Sequence, residues 1–281
     1  MHQRKTLGLF GIFGIWLTAG ITFPLVNTLR MFETGQLMAL RGLLTALLTF
    51  ICLGGKLGKI DRGLILLRLV VPLATFGMFQ SVRSLGASLT AVLFTATPII
   101  NFCFGLQAGR MVSGASIGAL CLILGGVSLA CKDATFSLVG FAWALFAMLN
   151  EAVVYELFAG KKTNPLQKCF AGSLGMGILG LVLSVRSSWE RLLEPRLMLL
   201  LCILAFVGGF VYLLANMIAF EHLPTNEASV LAQGETPAVI LGAYLILGER
   251  LSLLQLIGIC IALVGAGYLT QWLAKTGQEK I

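Results

Sequence analysis

Ten apolar runs, each about as long as a bilayer is thick, follow one another along this chain with only short polar gaps between them. They fall at roughly 7–28, 34–55, 64–82, 87–105, 113–131, 137–158, 166–185, 197–220, 227–247 and 252–273. A hydrocarbon core of about 30 Å takes about 20 apolar residues of helix, so each run is long enough to span. Strands are not expected, because the runs are too long and lack period-two alternation. The longest gap, Arg186 to Arg196, leaves no room for a domain outside the membrane. The first run begins after Arg4 and Lys5, as a signal peptide would. It continues past Pro24, longer than a signal core of about 7–15 residues, so a retained helix is expected.

Composition says the same. Of 281 residues, 58% are hydrophobic and only 11% charged, with a mean hydropathy of +0.94. A soluble domain carries about 25% charged residues. The fold class is therefore all-α, a polytopic membrane protein, with the lipid bilayer as its solvent. The net charge of +8 does not indicate nucleic acid. Its lysines and arginines sit in the gaps, for example Lys56, Lys59 and Arg62, and form no basic face interleaved with aromatics. Counting them with the N-terminus inside puts Arg4, Lys5, Lys56, Lys59, Arg62, Arg110, Lys161, Lys162, Lys275 and Lys280 on the inner side. Arg30, Arg83, Lys132, Arg186, Arg191, Arg196 and Arg250 fall outside. Basic residues favour the cytoplasmic side, so a multi-pass protein of the cytoplasmic (inner) membrane with both termini cytoplasmic is expected.

The seven cysteines form no CxxC and lie mostly within apolar runs, as small core hydrophobes do. With only His2 and His222, a histidine-rich metal centre is excluded and a catalytic histidine pairing is disfavoured. No GxxxxGK[ST] occurs, so ATP is not the direct energy source, and no cofactor is expected.

The chain also repeats itself. Ser84-Leu-Gly-Ala-Ser-Leu-Thr-Ala-Val-Leu93 aligns with His222-Leu-Pro-Thr-Asn-Glu-Ala-Ser-Val-Leu231. Thr97-Pro98 aligns with Thr236-Pro237, Gly109 with Gly248, and Gly126 with Gly265, with one extra residue in the second copy near Glu235. The halves are 1–133 and 134–281. Five helices per half is an odd number, so the two halves must be inverted relative to each other in the membrane, a plan that lets half-bundles expose a midplane site to either side.

The run Pro237-Ala-Val-Ile-Leu-Gly-Ala-Tyr-Leu-Ile-Leu-Gly-Glu-Arg-Leu251, followed by Gln255 and Gly258, closely resembles the closing signature of EamA-type members of the drug/metabolite transporter superfamily. Ala39-Leu40-Arg41-Gly42, Trp16 before Phe23-Pro24, and Ala219 before His222-Leu223-Pro224-Thr225 resemble that family too. The first half departs from it with Gly109-Arg110-Met111 where the second has Gly248-Glu249-Arg250. The second half places Thr236, with Glu235 before it, where the pattern puts an acidic or small residue next to the proline. The resemblance implies two inverted five-helix repeats around a central cavity that works by alternating access, and a small-molecule substrate. The expected function is a secondary transporter moving a small metabolite, such as an amino acid or related compound, most naturally outward. An importer or exchanger is the alternative within transport. An intramembrane lipid-modifying enzyme is the alternative from another class, disfavoured by the repeat and the missing catalytic constellation.

Two acids lie deep in their runs. Glu151 is about 20 Å and Glu235 about 12 Å along helices rising about 1.5 Å per residue. A charge in hydrocarbon costs at least about 2.5–3.5 kcal/mol, so each is expected to face the interior, as a proton-coupling group, a partner for a substrate amine, or a structural carboxyl between helices. Asn150 adjoins Glu151, and Tyr212 and Asn216 form an i,i+4 pair. Gln80, Asn101 and Gln233 complete a polar set spread over five runs, which suggests a shared cavity, although any one of them alone is more often interhelical glue than a substrate contact. Arg41 either pairs with a buried acid, binds carbonyls at a broken helix, or snorkels to an interface. Pro98 and Pro237 are the symmetric hinge candidates, because each removes a backbone hydrogen bond. Gly114-xxx-Gly118 and Gly258-xxx-Ala262-xxx-Ala266 are small-residue stripes, expected to pack within the monomer, with a homodimer face as the alternative.

The charge count makes a direct prediction about sidedness. In intact cells, a membrane-impermeant thiol label should miss a cysteine placed at Lys59 or Lys161 and reach one placed at Arg191. Labelling of position 59 or 161 from outside would overturn the orientation.

Overall fold

The computed structural model describes residues 2–58, 61–107, 113–132, 137–159, 164–190, 194–223, 228 and 231–278. Gly109, Arg110, Lys59, Lys161, Lys162 and Arg191 lie outside the described residues, as do 224–227 of the second repeat. The described residues form helices and no strand. They are α1 (His2–Thr28), α2 (Thr34–Cys52), α3 (Arg62–Leu85), α4 (Ala87–Phe94), α5 (Thr97–Gln107), α6 (Gly114–Cys131), α7 (Leu138–Ala159) and α8 (Pro165–Leu183). The remainder are α9 (Pro195–Ala205), α10 (Tyr212–His222), α11 (Glu235–Leu247) and α12 (Leu253–Gln278). A π-helical segment, Phe206–Val211, joins α9 to α10. Among the described residues, seven helical stretches are long and apolar enough to cross a membrane, and three shorter apolar stretches accompany them. Helices suit this environment because they satisfy their own backbone polar groups where no water can.

Neighbouring helices run antiparallel. Gly35 meets Ser184 while Gly42 meets Gly177, so α2 and α8 run in opposite directions. Gly8 meets Leu223 and Gly14 meets Ala215, which does the same for α1 and α10. The crossings are close because small residues line them. A methyl group at Gly42 would overlap the backbone of Gly177, and one at Gly180 the backbone of Ala39. In the α6–α12 pair, a methyl at Gly258 would stand 2.6 Å from Ala130 N. The Gly258, Ala262 and Ala266 stripe therefore packs inside the chain, against Ala119, Ile123, Gly126 and Ala130. Gly114 and Gly118 do not pack. Both are exposed, and a methyl at either would meet no described residue within 4 Å, because the inward face of α6 is Ser116, Ala119, Ile123, Gly126 and Ala130, to one side of that stripe.

The bundle has two unlike ends. At the end opposite the start of α1, hydrogen bonds tie the connections together. Arg83 Nη2 donates to Arg30 O at 2.8 Å and Nη1 to Thr34 Oγ1 at 3.0 Å. Gln36 Nε2 donates to Ser188 O at 2.7 Å, and Ser187 Oγ to Glu33 Oε2 at 2.5 Å. Glu249, just past Gly248 at φ +69°, reaches back to cap α4: Ala87 N (3.3 Å), Ser88 N (3.1 Å) and Ser88 Oγ (2.6 Å) all donate to its carboxylate. Below this layer lies the largest apolar cluster, which includes Phe23, Leu29, Phe32, Leu37, Phe79, Val82 and Leu201. Toward the terminal end, where α1 starts and α12 finishes, apolar packing divides into separate clusters around Leu67 and Met217, around Ile15 and Phe220, and around Phe102 and Leu269. The seven cysteines are free thiols; Cys52, Cys103, Cys121, Cys202 and Cys260 face outward, and Cys169 is buried beside Thr49.

The crossings predict opposite fates for two glycines. Gly42→Leu should lower the stability of the detergent-purified protein by at least about 1–3 kcal/mol, since backbone must move to admit the side chain. Gly118→Leu should stay within about 0.5 kcal/mol. Thermal melting of both variants checks this; equal damage from Gly118→Leu would refute the assignment of the α6 face.

Candidate functional site

The functional residues gather where three helices are interrupted. The fourth apolar run is not one helix. It stops at Phe94, turns at Thr95 and Ala96, and restarts at Thr97 as α5. Pro98 is the second residue of α5, a position whose N–H needs no helical partner. The break therefore precedes the proline, and threonines satisfy its carbonyls: Thr95 Oγ1 donates to Val92 O (2.6 Å) and Thr97 Oγ1 to Phe94 O (2.8 Å).

The ninth run breaks in the same way. A turn at Gln233 and Gly234 precedes α11, in which Glu235 is the first residue and Pro237 the third. Trp16 Nε1, from α1, donates to Leu231 O at 2.8 Å, and its ring lies so close to Gly234 that any side chain there would strike it. Thr236 Oγ1 donates to Ala91 O at 3.2 Å, stitching the second break to α4.

The third interruption is the π-helical segment. Thr45 Oγ1 donates to Ala205 O at 2.9 Å, and Arg41 Nη2 donates to Gly208 O. Gly208 lies against Thr22 and Gly209 against Thr45, so the two glycines let α1 and α2 approach closely enough to make these bonds. Of the roles open to Arg41, binding a carbonyl at a distorted helix is the one realised. Its guanidinium also lies 5.4 Å from the centre of the Phe79 ring.

Two small cavities lie between these interruptions. One, of about 50 Å³, is lined by Thr97, Pro98 and Asn101 of α5, Glu151 of α7, and Gln233, Glu235 and Thr236 at the start of α11. The other, of about 60 Å³, is lined by Arg41, Thr75, Ala147, Glu151, Val154, Tyr212 and Asn216, among others. Glu151 and Phe94 belong to both walls, so the cavities meet there. Each has room for about four waters at roughly 10–15 Å³ per water centre. Tyr212 and Glu151 both lie within electrostatic reach of Glu235, which concentrates titratable groups at the junction.

The structure thus brings together Arg41, Asn101, Glu151, Tyr212, Asn216, Gln233, Glu235 and Pro98. Trp16 braces the site from outside the cavities. Gln80 lies away from them, its carbonyl accepting from Ser84 Oγ. Asn150 bonds back to Phe146 O of its own helix at 2.7 Å, so Glu151 alone of that pair faces the cavities. Pro237 is exposed on a lateral groove between α11 and α12, with Tyr244 and Leu263. Thr97 and Thr236 of the lining entered the sequence reading only through the aligned Thr-Pro pairs, not as cavity residues, and Thr270 not at all, since a threonine within an apolar run looks like any packing residue. The Gly208-Gly209 pair carried the one usable signal of the π segment, two glycines inside a run. Among the described residues no cluster of His, Cys, Asp and Glu could hold a metal ion.

An all-helical membrane bundle with a polar cavity between broken helices defines a class, that of polytopic membrane proteins with an internal polar site. The sequence narrows it. The profile of the EamA-like transporter family matches residues 133–271, and the chain is an EamA-type transporter of the drug/metabolite transporter superfamily. No curated protein matches the sequence. A solved structure titled "Crystal structure of protein" shares the fold at a TM-score of 0.68 and 15% identity, covering 96% of this chain and 99% of that one.

The π segment yields a coupled prediction. Gly209→Ala and Thr45→Ala each remove the Thr45–Ala205 hydrogen bond, the first by displacing the hydroxyl, the second by deleting it. Each should destabilise by about 1 kcal/mol. The double variant should lose less than the sum by about 0.5–1 kcal/mol. Additive losses in denaturation of the purified protein would refute the contact.

Proposed function

We propose that this protein is a secondary transporter of the cytoplasmic membrane that exports a small polar metabolite by alternating access. Its ten spans form two inverted repeats, 1–133 and 134–281, with both termini cytoplasmic. The carrying observation is that the cavity walls come from both halves, at two breaks that the sequence repeat relates to each other.

The pattern of helix packing supports the repeat. Let α1, α2, α3, α4–α5 and α6 exchange with α7, α8, α9–α10, α11 and α12. The α2–α8 and α6–α12 pairs then map onto themselves. The α1–α10 pair maps onto α3–α7, and α1–α11 onto the packing of α7 with α4 and α5. The α3–α8 pair maps onto the packing of α2 with α9 and the π segment. A bundle whose contacts survive exchange of its halves can reach a second arrangement by swapping the packing of its two ends. The end tied by Arg83, Gln36 and Glu249 is the closed end here, and the divided packing at the terminal end supports access from the cytoplasm.

Glu235 couples transport to protons in this reading. It begins α11 at the break, lines the cavity, and faces a second carboxyl, Glu151. The reading is tested in proteoliposomes loaded with labelled metabolites, with and without an imposed pH gradient. Glu235→Gln should insert and fold, because the amide keeps the shape and removes a charge. It should abolish gradient-driven transport and spare substrate exchange at equal pH. Driven transport that survives makes Glu235 structural and moves the coupling role to Glu151. Equal loss of both activities assigns Glu235 to substrate binding.

A further inference from the structure

The lateral groove between α11 and α12 belongs to neither cavity of the site. α11 packs on α1 and α4, and α12 on α5 and α6, so the two helices stand apart and leave a trough of about 710 Å³. That is the size of a whole small-molecule pocket, roughly 300–1,000 Å³, and far larger than either inner cavity. Pro237, Ile240 and Tyr244 of α11 share one helical face by i, i+3, i+7 spacing, and Leu256, Ile259 and Leu263 of α12 repeat that spacing opposite them. The floor is the apolar cluster that joins Ile259 to Val92 of α4 and Ala130 of α6. From Pro237 to the end of α11 at Leu247 the wall covers about 15 Å at about 1.5 Å per residue, the depth of one leaflet of a hydrocarbon core about 30 Å thick. At the closed end the lining turns polar, with Glu249 and Arg250. Glu249 is engaged by Ala87 N, Ser88 N and Ser88 Oγ. Arg250 is exposed and has no partner among the described residues, so the mouth of the trough carries an unmatched positive charge.

We propose that the groove is a binding site for an anionic glycerophospholipid of the leaflet at the closed end, with one acyl chain in the trough and the phosphate on Arg250. The site is separate from the transport cavities and does not depend on what they carry. An acyl chain answers the trough in both length and polarity. A lipid tail is as apolar as leucine, so the tail alone gives no preference for this place over any other on the surface. The mouth supplies the preference, because a guanidinium donates to phosphate oxygens through strong, charge-assisted hydrogen bonds. A zwitterionic headgroup brings an ammonium as well, and with Glu249 engaged by α4 the mouth has no free acid to receive it. Tyr244, 53% exposed on the same wall, is of the residue type that anchors at the level of the headgroups. A second copy of the chain is the wrong shape. A two-fold contact sets one patch against itself, which here would put trough against trough and Arg250 at the same depth as its own copy.

The test uses the full chain purified in detergent and stripped of lipid, with binding read by native mass spectrometry and thermal melting. The probes are dioleoylphosphatidylglycerol, dioleoylphosphatidylcholine, which has the same chains and phosphate but no net charge, and glycerol phosphate, which has no chains. Phosphatidylglycerol should bind about fivefold more tightly than phosphatidylcholine and raise the melting temperature, and glycerol phosphate should do neither. Arg250→Gln should weaken phosphatidylglycerol by about fivefold and erase its advantage, while Arg196→Gln, at an exposed arginine outside the groove, should leave both lipids unchanged. Cys260→Trp fills the trough from its exposed wall; without lipid it should melt as the unaltered protein does, and it should lose phosphatidylglycerol. The proposal is overturned if the two phospholipids bind alike, if glycerol phosphate binds as well as phosphatidylglycerol, or if Arg250→Gln or Cys260→Trp binds phosphatidylglycerol undiminished. A dimer of the purified protein that Cys260→Trp separates would overturn it too, by giving the groove to a second copy. Should Arg250→Gln fail to fold, the lipid comparison on the unaltered chain and Cys260→Trp still decide.

Discussion

The site depends on one constraint: a backbone carbonyl released inside a membrane bundle must find a donor within the protein. Three helices are interrupted, and each interruption is answered from a different helix. Trp16 of α1 donates to Leu231 O, Thr236 of α11 to Ala91 O, and Thr45 and Arg41 of α2 to Ala205 O and Gly208 O. These bonds fix where the broken ends lie, and the cavities are the space left between them. In hydrocarbon each such group, left alone, would cost several kcal/mol, so the interruptions and their partners have to be kept together.

Close crossings make those partnerships reachable. Gly208 and Gly209 let α1 and α2 come near enough for two threonines to lie against the π segment. Gly20 and Gly242 bring α1 against α11 in the same way, which sets Trp16 beside Gly234 and Leu231. Lipid supplies no hydrophobic drive between helices, so packing of this kind and the hydrogen bonds across it carry the association. Glu249 adds a tie of a different sort. Its carboxylate meets N–H groups at the start of α4, where the helix dipole also favours an anion, and so ties the end of α11 to the start of α4. The family signature Gly248-Glu249-Arg250 thus has a structural reading: Gly248 turns the chain out of α11, and the Glu249 carboxylate caps the start of α4.

Much of this was legible in the sequence. The membrane class followed from run length, the deep acids from the rarity of charge in apolar runs, and the relation between Pro98 and Pro237 from the aligned segments. Arg41 was visible as a charge inside a run, and one of the roles weighed for it, binding carbonyls of a broken helix, is the one the fold uses. The failures have physical causes. Asn150 and Glu151 are adjacent, about 100° apart around a helix, so only one could face the cavity, and Asn150 has the option of bonding its own helix at Phe146 O. Gly114 and Gly118 look like a packing stripe, yet four-residue spacing says only that two glycines share a face, not that the face has a partner. Both prolines were expected to break helices, but each opens one, because the turn before it had already ended the preceding segment.

The sequence by itself determined that the chain spans a membrane, where its apolar runs fall, and which ionisable groups lie deep within them. Those properties depend on composition and period, and both are local. Tertiary structure decided which of the deep polar groups share a cavity and which carbonyls they answer. Those depend on the rotation of each helix about its axis and on distances between residues far apart in the chain, such as Arg41 and Gly208, and a single sequence does not carry either.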